Sequence, residues 1–473
     1  MQSRLHKVQA RVRAYTGVLI VLLGCSHHEG IDGAITSINV PPFALNPPFS
    51  TSITDYYVRC AAGNNAATLI VDYTIGETQT PMVLTPDQEI SVAGQYWIRC
   101  LPPDFPVLTA TSPPDAGPTP GYYLVDSLTY AFVLDTHGTP VWYARGTAVA
   151  DVDSLATNTL SFAPNSTLPY GYTEADGGAL SFDVDDLTNS TTTEVTTVGT
   201  PTDQHELRLL PDGDYILLSY PIETGVDLTG LNTYGSNETM ADCEIEEVDS
   251  QGNLVWSWRA TQHIDPVKES QEPQSNVING VAVIDAFHCN SVDVDATGNL
   301  LLSSRHASAV YYIDKTSGTI LWKLGGTAYN KDGATLIAVT GDSEGTFSMQ
   351  HDVRFAPTTG HVTMYDDHGA PGAMGVARGI EYAVDVGART ATVAFQSLGS
   401  GPSLAEGSFR RYTDGHSVIA WGLVLGDPRM FTEIDENGND VFDVTSSGGA
   451  TYRAVKVPLS QLDIGLLRST TPE

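Results

Sequence analysis

Residues 287–306, FHCNSVDVDATGNLLLSSRH, decide how this chain is read. The stretch opens on His288 and Asn290, turns through Asp295-Ala-Thr-Gly-Asn299, continues into Leu300-Leu301-Leu302 and ends on Arg305-His306. Two strand-forming runs joined by a short glycine-containing loop predict a β-hairpin. Groups suited to a sulfate or phosphate flank that hairpin at both ends.

The same pattern recurs on either side. HELRLLPDGDYILL (205–218), HCNSVDVDATGNLL (288–301) and HDVRFAPTTGHVTM (351–364) align, each with a histidine at the entry of its first strand. A second repeat places a turn glycine four residues before an aromatic, in HGTPVW, QGNLVW, SGTILW and NGNDVF, which end at Trp142, Trp256, Trp322 and Phe442. An aspartate (Asp135, Asp249, Asp314, Asp435) precedes each glycine by three or four residues. A hairpin cannot cover its own face, so a radial array of four-stranded blades is the economical way to bury such repeats. The expected fold is all-β: a six-bladed β-propeller over 122–473, with a degenerate blade at 150–200 and loop-rich inserts around 220–237 and 261–279. The first strand of each blade lines the central channel, so His205, His288 and His351 are expected to converge on the axis.

Upstream, the runs TDYYV (54–58), ATLIV (67–71) and QYWI (95–98) read as short strands. They predict a small β-sandwich of immunoglobulin or cadherin size over 25–101. The segment 102–121, PPDFPVLTATSPPDAGPTPG, reads as a proline-rich linker and domain boundary.

Forty-four glycines and 27 prolines agree with an all-β chain rich in turns. With 23 basic against 56 acidic residues the chain lacks the cationic patches that nucleic acid requires. An anionic substrate therefore needs a local positive site inside a negative molecule. Arg4, Lys7, Arg11 and Arg13 precede the apolar run 18–23, which predicts an export signal over 1–24 that is too short to span a bilayer. Its end, Leu22-Leu23-Gly24-Cys25, resembles the bacterial lipobox, which makes Cys25 the lipidated first residue of the mature chain; a plain signal peptide is the other reading. Removing 1–24 leaves 19 basic against 56 acidic residues, a net charge of 19 − 56 = −37. The expected location is the periplasm or an outer-membrane anchor, with the cell surface as a further option. Membrane contact is expected through the lipid alone, and homodimerisation stays open. In an oxidising compartment Cys60 and Cys100, each ending an Arg-Cys strand, are expected to pair. Cys243 and Cys289 form a second bridge, or Cys289 is a free thiol beside the site.

One histidine at a strand end is more often structural than catalytic, but three at one repeat position are not required by packing. These residues resemble the bacterial aryl-sulfate sulfotransferases that work without phosphoadenosine phosphosulfate. The likeness lies in DQHELRLLPDGDYIL, in FHCNSVDVDATGNLLLSSRHASAVYYIDKTSGTILWKLGG and in QHDVRFAPTTGHVTMYDDHG. It implies phenolic sulfates and phenols as partners, no cofactor, and His351 as a nucleophile that is transiently sulfated. Arg305 would clamp the sulfuryl oxygens, and Asn290 would add a neutral donor. His205 and His288 would hold the same oxygens or the bridging one, one of them exchanging the phenol proton. The enterobacterial members carry a close cysteine pair that residues 332–349 lack.

Other residues carry less. Strand alternation turns His306 away from Arg305, which leaves it structural. Asp352 either orients His351 or belongs to a turn. Asp293-Val-Asp295 and Asp435-Glu-Asn437 read as hairpin turns rather than calcium ligands. Three imidazoles could form a zinc site, but a guanidinium among them repels a cation, so no metal is expected. Two rival functions stand beside transfer: a non-catalytic surface-displayed binding propeller, and a quinone-dependent dehydrogenase-like propeller.

Overall fold

The computed structural model describes residues 10–12, 33–127, 129–166, 180–372 and 374–469. Most of the expected export signal, and Cys25, lie outside them. The chain is all-β; the described helices are three short ones, Ala260–His263, Pro266–Glu269 and Ile464–Ser469. None is long and apolar enough to cross a membrane.

The repeated aspartates explain the turns. In three of them the aspartate Oδ1 accepts backbone N–H groups two and four residues on, as Asp249 does from Gln251 and Asn253, and Asp435 from Asn437 and Asn439; Asp314 accepts from Thr316 and Ser317. Asp295 does the same for Thr297 and Asn299, so both segments considered for calcium are Asx turns. The glycine that follows sits in the left-handed region, where a side chain is disfavoured (φ 81° at Gly252, 85° at Gly438).

These turns build a series of four-stranded antiparallel meanders. One comprises Ala150–Ala156, Thr159–Ala163, Phe182–Asp186 and Thr191–Val195, with Ala10–Val12 added at its outer edge. The next comprises Thr202–Leu209, Tyr215–Ser219, Glu244–Val248 and Leu254–Arg259. It is followed by Cys289–Val294, Leu300–Ser304, Ala309–Ile313 and Ile320–Gly325. Then come His351–Phe355, Val362–Asp366, Arg378–Asp385 and Thr390–Leu398, joined to the preceding meander through Thr335–Thr340. Ser408–Arg411, Ser417–Ala420, Arg429–Ile434 and Asp440–Ser446 form another. The remaining sheet combines the two ends of this region: Ala454–Val457 pairs with Tyr122–Ser127, beyond which lie Tyr130–Leu134 and Pro140–Arg145. First strands of successive meanders lie side by side, from Ala150–Ala156 through Thr202–Leu209, Cys289–Val294 and His351–Phe355 to Ser408–Arg411.

Four of these first strands carry a bulge, between Ala150 and Asp153, Thr202 and Leu207, Cys289 and Ser291, and His351 and Arg354. Asp151 and Asp352 take positive φ within theirs (53° and 50°), and His288 does so just before its strand begins (48°). Bulges re-aim side chains, and here they turn residues that strict alternation would separate toward one place.

The inserts differ from the expected loops. Ile222–Val226, Glu238–Ala241, Gln274–Ile278 and Val281–Asp285 pair with each other as a separate four-stranded sheet. At the N-terminal side, two three-stranded sheets (Ile35–Asn39, Asn65–Tyr73, Gly76–Leu84; and Asp55–Arg59, Glu89–Val92, Tyr96–Leu101) enclose a core of Ile38, Tyr56, Val58, Val71 and Ile98. Cys60 and Cys100 are bonded there. Within the proline-rich segment, Leu108–Thr111 pairs with Asp440–Ser446. Cys243 and Cys289 form a second disulfide, so Cys289 is not a free thiol.

Candidate active site

His205, His288, Asn290 and His351 come together near the entries of three neighbouring first strands, with Arg305 in the turn after Ser304 beside them. The rings of His205 and His288 lie 4.9 Å apart, edge to face. His306 joins them, stacked on His288 at 4.7 Å. Alternation failed for His306 because the strand ends at Ser304, and Arg305 and His306 belong to the following turn.

All four imidazoles are built alike. Nδ1 faces a fixed acceptor: Asp203 for His205 through a short contact, Asp285 Oδ2 for His288 at 2.7 Å, the Asp285 carbonyl for His306 at 2.9 Å, and Asp367 Oδ2 for His351 at 2.6 Å. Carbonyls and ionised carboxylates accept only, so each proton sits on Nδ1 and each Nε2 keeps a lone pair; burial raises Asp367 well above the carboxylate range, but a neutral ring whose Nε2 accepts carries its proton on Nδ1, toward Asp367. For His351 the other side agrees: the Glu406 backbone N–H donates to Nε2 at 3.3 Å. Desolvation, with Arg305 and the other histidines as like charges, holds the buried His351 well below the usual imidazole range. It is a neutral ring whose Nε2 lone pair is engaged by that backbone N–H. Burial likewise lowers His288 to about 4, against the pull of Asp285.

Arg305 is the electrostatic anomaly. Its Nη1 donates to His306 Nε2 at 3.1 Å, its Nη2 to the Leu404 carbonyl at 2.7 Å, and its buried Nε has no partner. Among the described residues no carboxylate lies within ion-pair distance of it, although it is only 4 % exposed. A buried guanidinium without a counter-ion is costly unless an anion is to be bound there. Desolvation lowers its pKa, with Asp367 and Asp285 opposing from a distance.

Asn290 is fully buried; its Nδ2 donates to the Gln350 carbonyl at 2.7 Å, and its Oδ1 has no partner. One of its N–H groups is thus committed to fixing the residue before His351. Asp352 does not orient His351. Its carboxylate accepts from Arg354 and Arg410, both at 2.9 Å, and pairs with Arg453 at 3.2 Å. Burial alone would raise its pKa, but these three guanidinium groups hold it well below the carboxylate range. Glu206 accepts from Arg354 at 2.7 Å, and Asp151 makes a short contact with Arg453. This buried ionic network ties first strands of successive meanders together directly behind the histidines.

The donor atoms of Asp285, His288 and His306 lie within 4.8 Å of one another, as a metal site would require. Those atoms are instead committed to the hydrogen bonds above, beside a guanidinium. Sequence reading missed the supports Asp203, Asp285 and Asp367, and also Tyr220 and Tyr452, whose rings lie 6.4 and 5.8 Å from that of His205. The spacings Asp203-Gln-His205 and Asp285-Ala-Phe-His288 were visible signals for two of them.

A family model described as "Arylsulfotransferase (ASST)" matches residues 176–447, more than half of the 473. No curated protein sequence matches the chain. Among solved structures, a protein of unknown function from Bacteroides caccae is similar at 12% identity and TM-score 0.42, over 72% of this chain and 99% of that one. Apo AztD from Citrobacter koseri aligns at 11% identity and TM-score 0.34, over 72% and 99%.

Proposed function

The chain belongs to the arylsulfotransferase family, and from that premise we propose that its histidine–arginine cluster moves a sulfuryl group from a phenolic sulfate to a phenol in two steps. His351 Nε2 attacks sulfur, the S–O bond to the donor phenol breaks, and the sulfuryl group rests on the imidazole. The acceptor phenol then attacks the same sulfur, and the N–S bond breaks. Splitting one difficult displacement into two is the gain of covalent catalysis. Asp367 holds Nδ1–H toward itself and offsets the positive charge that the ring acquires on sulfation. Arg305 draws the sulfuryl oxygens with its free Nε and its fork of N–H donors. Asn290 adds its remaining N–H, and His205 and His288, whose Nε2 atoms carry lone pairs, line the pocket beside it.

The observation that carries this reading is Arg305, a buried cation with an orphan Nε and no carboxylate partner among the described residues, beside a neutral, aspartate-held imidazole. The meanders are read as the six blades of a propeller over 122–473, following a β-sandwich over 25–101 and the linker 102–121. Two disulfides suit an exported protein, anchored through lipid on Cys25 after removal of 1–24.

The test uses no nucleotide. Incubation with 4-nitrophenyl sulfate and phenol should release nitrophenol and form phenyl sulfate, and a donor-treated sample without acceptor should carry a labile sulfuryl adduct on the peptide containing His351. A His351→Ala variant as active as the parent sinks the nucleophile assignment.

A further inference from the structure

Residues 403–407, SLAEG, touch most of the site within five positions. Ser403 N donates to the Asp367 carbonyl at 3.0 Å, and the Leu404 carbonyl accepts from Arg305 at 2.7 Å. Glu406 N donates to His351 Nε2 at 3.3 Å, and Gly407 N donates to the Tyr452 carbonyl at 3.0 Å. This strap brings a further carboxyl group to a site whose other carboxylates, Asp203, Asp285 and Asp367, are each engaged by a histidine. Glu406 stands at φ 66°, a conformation that favours glycine, so a bulky side chain is kept there against backbone preference.

Its own N–H meets Nε2, which seats Glu406 beside the reacting nitrogen, and its carboxyl is close enough to His205 for the two charges to interact. It is half-buried, and it takes no hydrogen bond from any described residue. The groups that sense it are His205 on one side and Asp126 and Asp367 on the other. His351 and Arg305 complete its charged surroundings through the strap. Ionised, Glu406 would oppose an anionic sulfate ester at the atoms that must receive it. Protonated, it is a donor with no competing partner.

A proton is also what the reaction needs at this point. A phenolate leaves in the first half and a phenol enters in the second. His288 cannot supply that proton near neutrality, since its ring is held neutral and its one N–H faces Asp285. Burial raises Glu406, with His205 opposing, and an arriving sulfate adds negative charge beside it.

Resting on the reading of His351 as nucleophile, we propose that Glu406 carries the proton of both half-reactions. Its carboxyl gives a proton to the phenolic oxygen as the donor's S–O bond breaks and the N–S bond forms. The resulting carboxylate takes the proton of the acceptor phenol as the new S–O bond forms and the N–S bond breaks. Each cycle returns Glu406 to its protonated form and His351 to its free ring.

The test compares leaving groups. Nitrophenolate leaves without protonation, whereas the phenolate of phenyl sulfate does not. In single-turnover experiments E406Q should lose about 10²–10³-fold with phenyl sulfate and under about tenfold with 4-nitrophenyl sulfate, the range general acid catalysis supplies. The wild-type rate with phenyl sulfate should fall as pH rises through the Glu406 titration, and that limb should vanish in E406Q. With E406A, added formate should restore phenyl sulfate turnover more than 4-nitrophenyl sulfate turnover, which serves also if E406Q does not fold. An equal loss with both donors, or no loss, overturns the proposal and leaves Glu406 a positioning residue or a bystander. A wild-type protein that forms no adduct on the His351 peptide instead defeats the nucleophile reading, and this proposal with it.

Discussion

Asp367→Asn isolates the contact that makes His351 a nucleophile. In the parent, Asp367 Oδ2 accepts Nδ1–H at 2.6 Å in a fully buried setting, while Glu406 N–H approaches the opposite nitrogen. The substitution acts in two ways. It replaces a charge-assisted hydrogen bond by a neutral one, a loss of about 1.5–3 kcal/mol, or roughly 10- to 150-fold in rate. It also lets the amide turn its NH₂ toward Nδ1, which moves the ring proton to Nε2 and removes the attacking lone pair. In serine proteases the same aspartate-to-asparagine change costs about 10⁴ through that tautomer. Glu406 N–H resists the inversion here, so adduct formation should slow by about 10²–10⁴-fold. The assay is the burst of nitrophenolate from 4-nitrophenyl sulfate without acceptor, with burst amplitude reporting competent sites. Melting temperature serves as the control for folding. A folded variant with full amplitude and a burst rate within about threefold of the parent would refute the role given to Asp367.

Three further outcomes follow from the same geometry. Arg305→Met should abolish transfer yet leave the melting temperature unchanged or higher, because it removes a buried cation without a carboxylate partner; a fall of several degrees on thermal denaturation would mean the guanidinium is structural. His288 titrates at about 4 folded against about 6.5 unfolded. A lowered folded pKa means the unfolded chain takes up the proton first as pH falls, so this stability is whole above about 6.5 and is lost down to about 4, roughly 3 kcal/mol in all. Asp151 and Glu246, both raised to about 7, slope the other way. The test is therefore the stability difference between the parent and His288→Asn by denaturant titration, which should shrink across that window. Paired Cys243→Ser and Cys289→Ser changes open a bridge of sequence separation 46; loop-closure entropy sets the loss at about 4 kcal/mol in a denaturant midpoint measurement.

What the sequence made legible is the repeat. His205, His288 and His351 could be aligned because a hairpin follows each of them, its turn held by a side-chain oxygen of Asp212, Asp295 or Thr359, and that local chemistry is written in a few adjacent residues. Arg305 was found by the same route, since it ends the hairpin that His288 begins. The supports were harder. Asp367 lies sixteen residues from His351 and reaches it across a strand pair, a distance that no local pattern encodes. His306 was misassigned because period-two alternation was carried past Ser304, where the strand stops. The ionic network behind the site was missed because Arg354, Arg410 and Arg453 come from distant parts of the chain and meet Glu206, Asp352 and Asp151 only once the first strands lie side by side. The inserts around 220–237 and 261–279 looked loop-rich because glycines and asparagines interrupt the strands that pair as a sheet.

The pairing of Ala454–Val457 with Tyr122–Ser127 sets the order in which the protein can become active. Synthesis proceeds from the N-terminus, so the strand that joins the two ends of the meander series leaves the ribosome after every other strand of that series. Tyr452 and Arg453, immediately before it, complete the backing of His205 and Asn290. A nascent chain lacking these residues has every histidine in hand and no fixed place to hold them. Truncation just before Tyr452 should therefore yield a chain without transfer activity, although every group given a role in the chemistry is still present.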